Sequence, residues 1–198
     1  MSKLSLDNGR VNQKRKTRTT IIQSAKKLMT HKKKVSLEDV AIEASVSRAT
    51  IYRYFPNVDI LMIEASLDLH HQTPDELIHQ MGSISLQDSV LFLQKYYNKL
   101  AQDHEVLFRR YLSAVLAEST HSKKKIRGSR RKEAMIKATT PFKINKQAQK
   151  NLVNIASILM GIDAFITAKD VCGLNTEEAK STLEWGLSMI LKGLESNN

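Results

Sequence analysis

Apolar residues return along this chain every three or four positions, and no stretch alternates with a period of two for long. That spacing is helical, and Gly (7) and Pro (3) are too scarce to punctuate a succession of short strands. Roughly nine helices are predicted. The first runs from about Thr17 to His31, with Ile21, Ala25 and Leu28 on one face and Ile22 and Met29 beside them. Lys32, Lys33 and Lys34 follow at the negative end of its dipole. Ser36 caps a second helix striped by Leu37, Val40, Ala41 and Ala44, with Glu38 and Asp39 where the dipole favours anions. Ser47 caps a third that ends near Tyr54, because Pro56 cannot continue it and pushes Phe55 toward an extended conformation. Asn57 or Asp59 opens a long fourth helix reaching about His79. Five more are expected at about 86–102, 104–121, 126–138, 145–169 and 175–195.

The third helix raises a question, since two turns offer little area for self-stabilisation. Ile51 and Phe55, four apart, are expected to face inward against Leu37, Val40 and the Ile21/Leu28 face, with Val46 plugging the turn. Arg48, Ala49, Thr50, Tyr52, Arg53 and Tyr54 are then left largely outward. Guanidinium, hydroxyl and phenol groups together suit base edges and phosphates: Arg forks onto guanine, Thr offers a hydroxyl and a methyl, and Tyr reaches phosphate oxygens. Two helices joined by a three- to four-residue turn, the second presenting such a face, form a helix-turn-helix. The competing reading is an ordinary helical hairpin with a decorated surface.

Charge favours the first reading. Lys and Arg number 31 against 20 acids, and the excess is uneven: residues 1–60 hold 13 Lys/Arg and 5 Asp/Glu, the remainder 18 and 15. A basic first third on a nearly balanced remainder points to a polyanion-binding module joined to something else. At 198 residues, with 41% hydrophobic and 26% charged, the chain has the composition of a soluble globular protein with a real core.

At this point the residues resemble a family. The run "TIIQSAKKLM…VSLEDVAIEASVSRATIYRYFPNVDIL" is similar to the N-terminal domain of TetR-family (TetR/AcrR-type) transcriptional regulators. The match lies in the alanine-containing first helix, the "LEDVA" helix, "VS" opening the recognition helix and "TIYRYF" ending it; "DVCGLNTEEAKSTLEWGLSMIL" resembles the last two family helices more weakly. The resemblance implies Ser47, Arg48, Ala49, Thr50 and Tyr52 on or near the bases. It places Ser36, Arg53 and Tyr54 near phosphates, with Thr17 at the N-terminus of the first helix. Two positions depart from the pattern. Ser45 stands where the family usually has a turn glycine, and a left-handed serine costs on the order of 1 kcal/mol. Val58 stands where a lysine commonly grips a phosphate, and Lys14, Arg15, Lys16 and Arg18 offer replacement charge.

The expected organisation is all-α. Residues 1–16 form a basic disordered arm, 17–60 the helix-turn-helix DNA-binding domain, and 61–198 a helical effector-binding and dimerisation domain, entered through the long fourth helix. The family implies a homodimer, and two apolar stripes fit one: Leu152, Ile155, Leu159, Ile162 and Ile166, then Leu183, Leu187, Ile190 and Leu194. The alternative is that both stripes are internal core. Gly161 and Gly186 are read as allowing close helix crossings. An effector cavity, also implied by the family, has Met62, Leu93, Tyr96, Tyr97, Phe108, Tyr111 and Phe165 as candidate lining, the alternative being core.

Other chemistry is sparse. Asp68 and His71 share a helix face beside His70 and His79, but no third ligand is evident, so no metal and no cofactor are expected. No phosphate-cradling glycine loop or nucleophile–base–acid set speaks for an enzyme. The basic run 123–132 reads as a loop and helix start, with a second polyanion contact as its alternative. The single cysteine, Cys172, excludes an internal disulfide and fits a reducing cytoplasm; no neighbour in sequence makes it a redox thiol. The most apolar stretch, 152–168, is shorter than the roughly 20 residues a bilayer span needs, so a buried helix is expected, with no membrane partner. No signal-peptide core opens the chain, so a cytoplasmic location is expected; the resemblance implies a bacterial one, on the nucleoid when bound to DNA. The expected function is a ligand-responsive repressor whose dimer sits on an inverted-repeat operator in double-stranded DNA until a small-molecule effector releases it. The alternative is a ligand-independent, architectural DNA-binding protein.

Overall fold

The computed structural model describes residues 3–31, 34–121 and 127–195, and every regular element among them is helical. In order they are α1 (Lys3–His31), α2 (Leu37–Glu43), α3 (Arg48–Tyr54), α4 (Val58–Asp68), α5 (Pro74–Met81) and α6 (Leu86–Asp103). There follow α7 (Glu105–His121), α8 (Arg130–Thr139), α9 (Lys146–Ile158), α10 (Ile162–Ile166) and α11 (Thr176–Glu195). A π-helical turn, Thr167–Val171, continues α10. The chain divides into two compact units, residues 1–70 with 110–127, and 71–109 with 128–198.

Three expectations of extent are corrected. The segment 3–16 is not a disordered arm but the beginning of α1. Apolar periodicity reports a buried face, not helicity. Once a nucleus exists downstream, each added residue gains a hydrogen bond, and Lys, Arg, Gln and Leu propagate a helix well. The fourth helix does not run to His79: α4 ends at Asp68, and α5 starts afresh behind Thr73. Thr73 and Glu76 form a reciprocal capping box there, with Pro74 at the first helical position, where its missing N–H costs nothing. The helix expected over 145–169 is broken between Ile158 and Ile162, and its halves lie 55° apart.

Gly161 makes that break, with φ +78° and ψ −164°, a backbone region that only glycine enters without strain. Side chains of the same unit bond the backbone on and around the break. Gln94 Nε2 donates to the carbonyls of Leu159 (3.0 Å) and Leu183 (2.8 Å). Asn98 Oδ1 accepts from the Gly161 amide (2.8 Å), Arg131 Nη1 donates to the Met160 carbonyl, and Arg131 Nη2 reaches Asp163 Oδ2 at 2.8 Å. Gln94 and Asn98 are fully buried, so each unmade bond would cost on the order of 1–3 kcal/mol. Gly161 is therefore a helix breaker, not a crossing point.

In the first unit, α1, α2, α3 and α4 close on one apolar core: Ile21, Ile22 and Ala25 meet Leu37, Val40, Ile51, Phe55, Ile60 and Leu61. The expected inward pair, Ile51 and Phe55, is completely buried, and Val46 packs against the cluster. Ion pairs tie α1 to α4. Arg18 forks onto Glu64 through Nε (3.1 Å) and Nη2 (2.5 Å), and Lys26 Nζ meets Asp68 Oδ2 at 3.0 Å. In the second unit, Leu77, Val90, Leu93, Tyr97, Met135, Leu152, Met160 and Leu187 belong to the main core, with Phe165, Ala168 and Ala179 as a smaller cluster.

Candidate nucleic-acid interface

The turn between α2 and α3 follows from its hydrogen bonds. The amide of Ser45 donates to the Ile42 carbonyl (3.0 Å) and that of Val46 to the Ala41 carbonyl (2.9 Å). This is the Schellman pattern, which requires a left-handed residue after the helix cap. That residue is Ser45, at φ +53°, the one non-glycine with positive φ among the described residues. The turn is kept without its usual glycine, as expected, and a left-handed L-residue costs about 1–2 kcal/mol.

Both short helices are capped by their own serines. Ser36 Oγ accepts from the Asp39 amide (3.1 Å), and Asp39 Oδ2 accepts from the Ser36 amide (3.0 Å). Ser47 Oγ accepts from the Thr50 amide (3.1 Å) and donates to Thr50 Oγ1 (2.9 Å). Each such cap stabilises its helix by about 1 kcal/mol. Asn57 Oδ1, accepting from Ile60 N at 2.9 Å, opens α4, with Val58 half-buried against the core.

On α3, Ser47, Arg48, Ala49, Tyr52 and Arg53 are exposed and Thr50 is half-exposed. Tyr54 is not outward: it is 8% exposed and packs with Ile51 and Phe55 in the core. The positions 51, 54 and 55 share one helical face, and that spacing overrides the polarity of a phenol. Arg53 lies over the Tyr54 ring, 5.5 Å from its centroid. Thr17 is not at a helix N-terminus but inside α1, its hydroxyl donating to the Gln13 carbonyl at 3.0 Å. Arg18 faces Glu64 and the Phe55 ring (4.6 Å to the centroid), so of the replacement charges it is turned inward, while Lys14 and Lys16 are exposed.

Sequence reasoning passed over Glu38, seen only as an anion at a helix start. Its Oε1 accepts from Tyr52 OH at 3.0 Å and lies 3.3 Å from Arg48 Nη2, while the Arg48 guanidinium sits 5.7 Å from the Tyr52 ring centroid. The bond from its own backbone amide, then that from Tyr52, holds the carboxyl below the ordinary glutamate value. No local signal in the sequence announces this triangle, because α2 and α3 must first be docked.

The second unit sorts the other candidates. Tyr96, Tyr97 and Phe108 gather around His71, with ring centroids 6.5, 5.9 and 6.3 Å away. Leu93 lies one turn along α6 in the main core, and Phe165 belongs to the smaller cluster. Met62 and Tyr111 instead pack in the first unit, where Tyr111 OH meets Glu64 Oε2 at 3.2 Å. Of the two apolar stripes, Leu152, Ile162 and Leu187 are buried inside their own unit. Ile155, Leu159, Ile166, Leu183 and Leu194 are half-buried, and Ile190 is exposed. The large apolar side chains left outward on the same helices are Ile158, Trp185 and Met189, the first two more than 60% exposed. In the basic run, residues 123–126 lie outside the described residues, as do Lys32 and Lys33; Arg131 is engaged by Met160 and Asp163. Asp68 is held by Lys26, and no group of three metal-ligating side chains occurs among the described residues.

A capped helix seven residues long, pinned by three inward side chains and presenting Arg, Thr and Tyr outward, defines a helix-turn-helix DNA-binding protein. Residues 21–65 match the family described as bacterial regulatory proteins, tetR family. No curated protein matches it. Among solved structures, a TetR transcriptional regulator from Rhodococcus sp. RHA1 aligns over 89% of this chain and 96% of its own. Its identity is 22% and the TM-score 0.42, a likeness too loose to carry residues across.

Proposed function

We propose that this protein is a homodimeric repressor that leaves an inverted-repeat operator when a small molecule binds its second unit. The observation that carries the reading is the exposed face of α3, Ser47 to Arg53, on a helix too short to persist alone and fixed by a capped turn. Arg48 and Tyr52 read base edges, with Thr50 beside them, and Ser36 and Arg53 meet phosphates. A dimer sets two such helices about 34–36 Å apart over successive major grooves. Trp185, Met189 and Ile190, exposed close together on α11, support a partner surface there, since exposed large apolar side chains on one helix mark interfaces; Ile158 is exposed on α9. The aromatic group of Tyr96, Tyr97 and Phe108 around His71 supports an effector site, and Tyr97 OH is buried with no hydrogen-bond partner among the described residues. An effector releases DNA only by binding the DNA-incompetent arrangement more tightly than the competent one.

The test is selection of duplexes from a random library by the full chain, with sedimentation of the selected complex. An inverted repeat carrying two protomers is expected, and fluorescence of Trp185, the single tryptophan, should redden as the free dimer is diluted apart. A protein that stays monomeric at micromolar concentration, free and on DNA, overturns the dimer. Selected duplexes without an inverted repeat favour the ligand-independent, architectural reading.

A further inference from the structure

We infer that Glu38, on the helix preceding the recognition helix, is a positioning residue that sets the specificity of DNA reading by holding Arg48 and Tyr52 in one pose. The inference rests on α3 being the reading helix. The side chain of Arg48 is 76% exposed and that of Glu38 44%, and an ion pair so wet adds little to folding stability. Yet the contact is not a lone pair. One carboxylate oxygen takes both the Tyr52 hydroxyl (3.0 Å) and the Arg48 guanidinium (3.3 Å), and the guanidinium lies near the Tyr52 ring. The two residues stand four apart on α3, one turn along the outward face, and Glu38 ties both to the first turn of α2. That first turn is itself locked by the Ser36–Asp39 box.

A free arginine side chain loses much rotamer freedom when it forks onto a base, and a partner that has already ordered it removes part of that loss. A negative charge on a DNA-facing surface also repels phosphates, so it weakens binding to any sequence. Both effects act in one direction: Glu38 lowers indiscriminate affinity and sharpens the affinity that depends on base edges. Glu38 is thus kept for discrimination, not for grip. Inside the groove, where water is excluded, the pull of its carboxylate on Arg48 strengthens further.

The experiment uses the full chain, a duplex selected by the wild-type protein, and a scrambled duplex of equal length. Glu38→Ala is expected to lower the ratio of selected to scrambled affinity about tenfold, within what one bidentate base contact supplies. It should also raise scrambled-duplex affinity about twofold, and Glu38→Gln, which still accepts from Tyr52, should fall between. In an Arg48→Ala, Tyr52→Phe background the same Glu38→Ala change should move the ratio by less than about twofold, since both of its targets are gone. Thermal unfolding should be nearly unchanged throughout, which a structural role would not allow. An unaltered ratio in Glu38→Ala overturns the inference, and so does an undiminished effect without both Arg48 and the Tyr52 hydroxyl, which would place Glu38 on the DNA directly. If Arg48→Ala alone leaves the ratio untouched, the reading helix itself is misassigned, a distinct failure.

Discussion

Replacing Ser45 by glycine should stabilise this protein, and the size of the gain can be worked from the turn. Ser45 sits at φ +53°, where an L-residue's Cβ crowds its own carbonyl at a cost of about 1–2 kcal/mol. The position cannot relax, because its amide and that of Val46 supply the two bonds that close the C-terminus of α2. Glycine removes the steric cost but gives the unfolded chain more freedom, worth about 0.4–1 kcal/mol in the other direction. The net expected gain for Ser45→Gly is about 0.5–1 kcal/mol. Ser45→Ala should be neutral within about 0.3 kcal/mol, since alanine bears the same Cβ, and Ser45→Val should lose about 1 kcal/mol or more through its branched carbon. The assay is urea unfolding followed by helical circular dichroism at one protein concentration, so that any oligomer linkage is constant. The midpoint should shift while the slope stays unchanged. A glycine variant no more stable than the alanine variant refutes the reasoning, for then no left-handed strain resides at Ser45.

Two further outcomes follow from the same kind of argument. Gly161→Ala should cost about 2–3 kcal/mol by the same unfolding assay, because a Cβ at φ +78° is strained and would lie 2.8 Å from Arg131 Nη1, displacing the bond to Met160. Stability should also fall in alkali. Burial, seconded by the Tyr96 phenol for Tyr97 and the Glu64 carboxylate for Tyr111, holds both phenols well above their ordinary value of 10.0, so the unfolded chain ionises first. Stability is then complete below pH about 10 and declines as pH rises beyond it, and tyrosinate absorbance should appear together with loss of helical signal.

Much of the first unit was legible because its signals are local. Ser36, Ser47, Asn57 and Pro56 mark where helices begin and stop, and each does so through an atom within three residues of the boundary. Ser45 was legible as a strained turn for the same reason. Tyr54 is a contrasting case: its phenol suggests an outward residue, but its spacing from Ile51 and Phe55 places it inward. The start of α5 is also local, written in Thr73, Pro74 and Glu76, although apolar residues recur on either side of it. Gly161 is a different case. Its break is stabilised by Gln94 and Asn98, more than 60 residues away in sequence, and no window around the glycine contains them. Likewise the aromatic candidates carry no label saying which of the cores they join, and the structure distributes them over three.

The brevity of α3 then has a mechanical explanation. Seven residues cannot hold a helix by their own hydrogen bonds, so what fixes α3 must come from outside it. Burying Ile51 and Phe55 contributes roughly 2–3 kcal/mol each, and the Ser47 cap about 1 more. The Schellman turn sets the angle at which α3 leaves α2, and Glu38 links the far side of that angle back to Arg48 and Tyr52. The inward residues therefore fix where the helix lies, and the turn and Glu38 fix how its outward residues point. A reading surface needs both, because a base edge discriminates by geometry on the scale of a hydrogen bond. Under the proposed reading of DNA by α3, the strain retained at Ser45 and the acid retained beside Arg48 and Tyr52 belong to one arrangement. Each is a local disadvantage, in stability and in attraction to phosphate respectively, at a point where the orientation of α3 is decided.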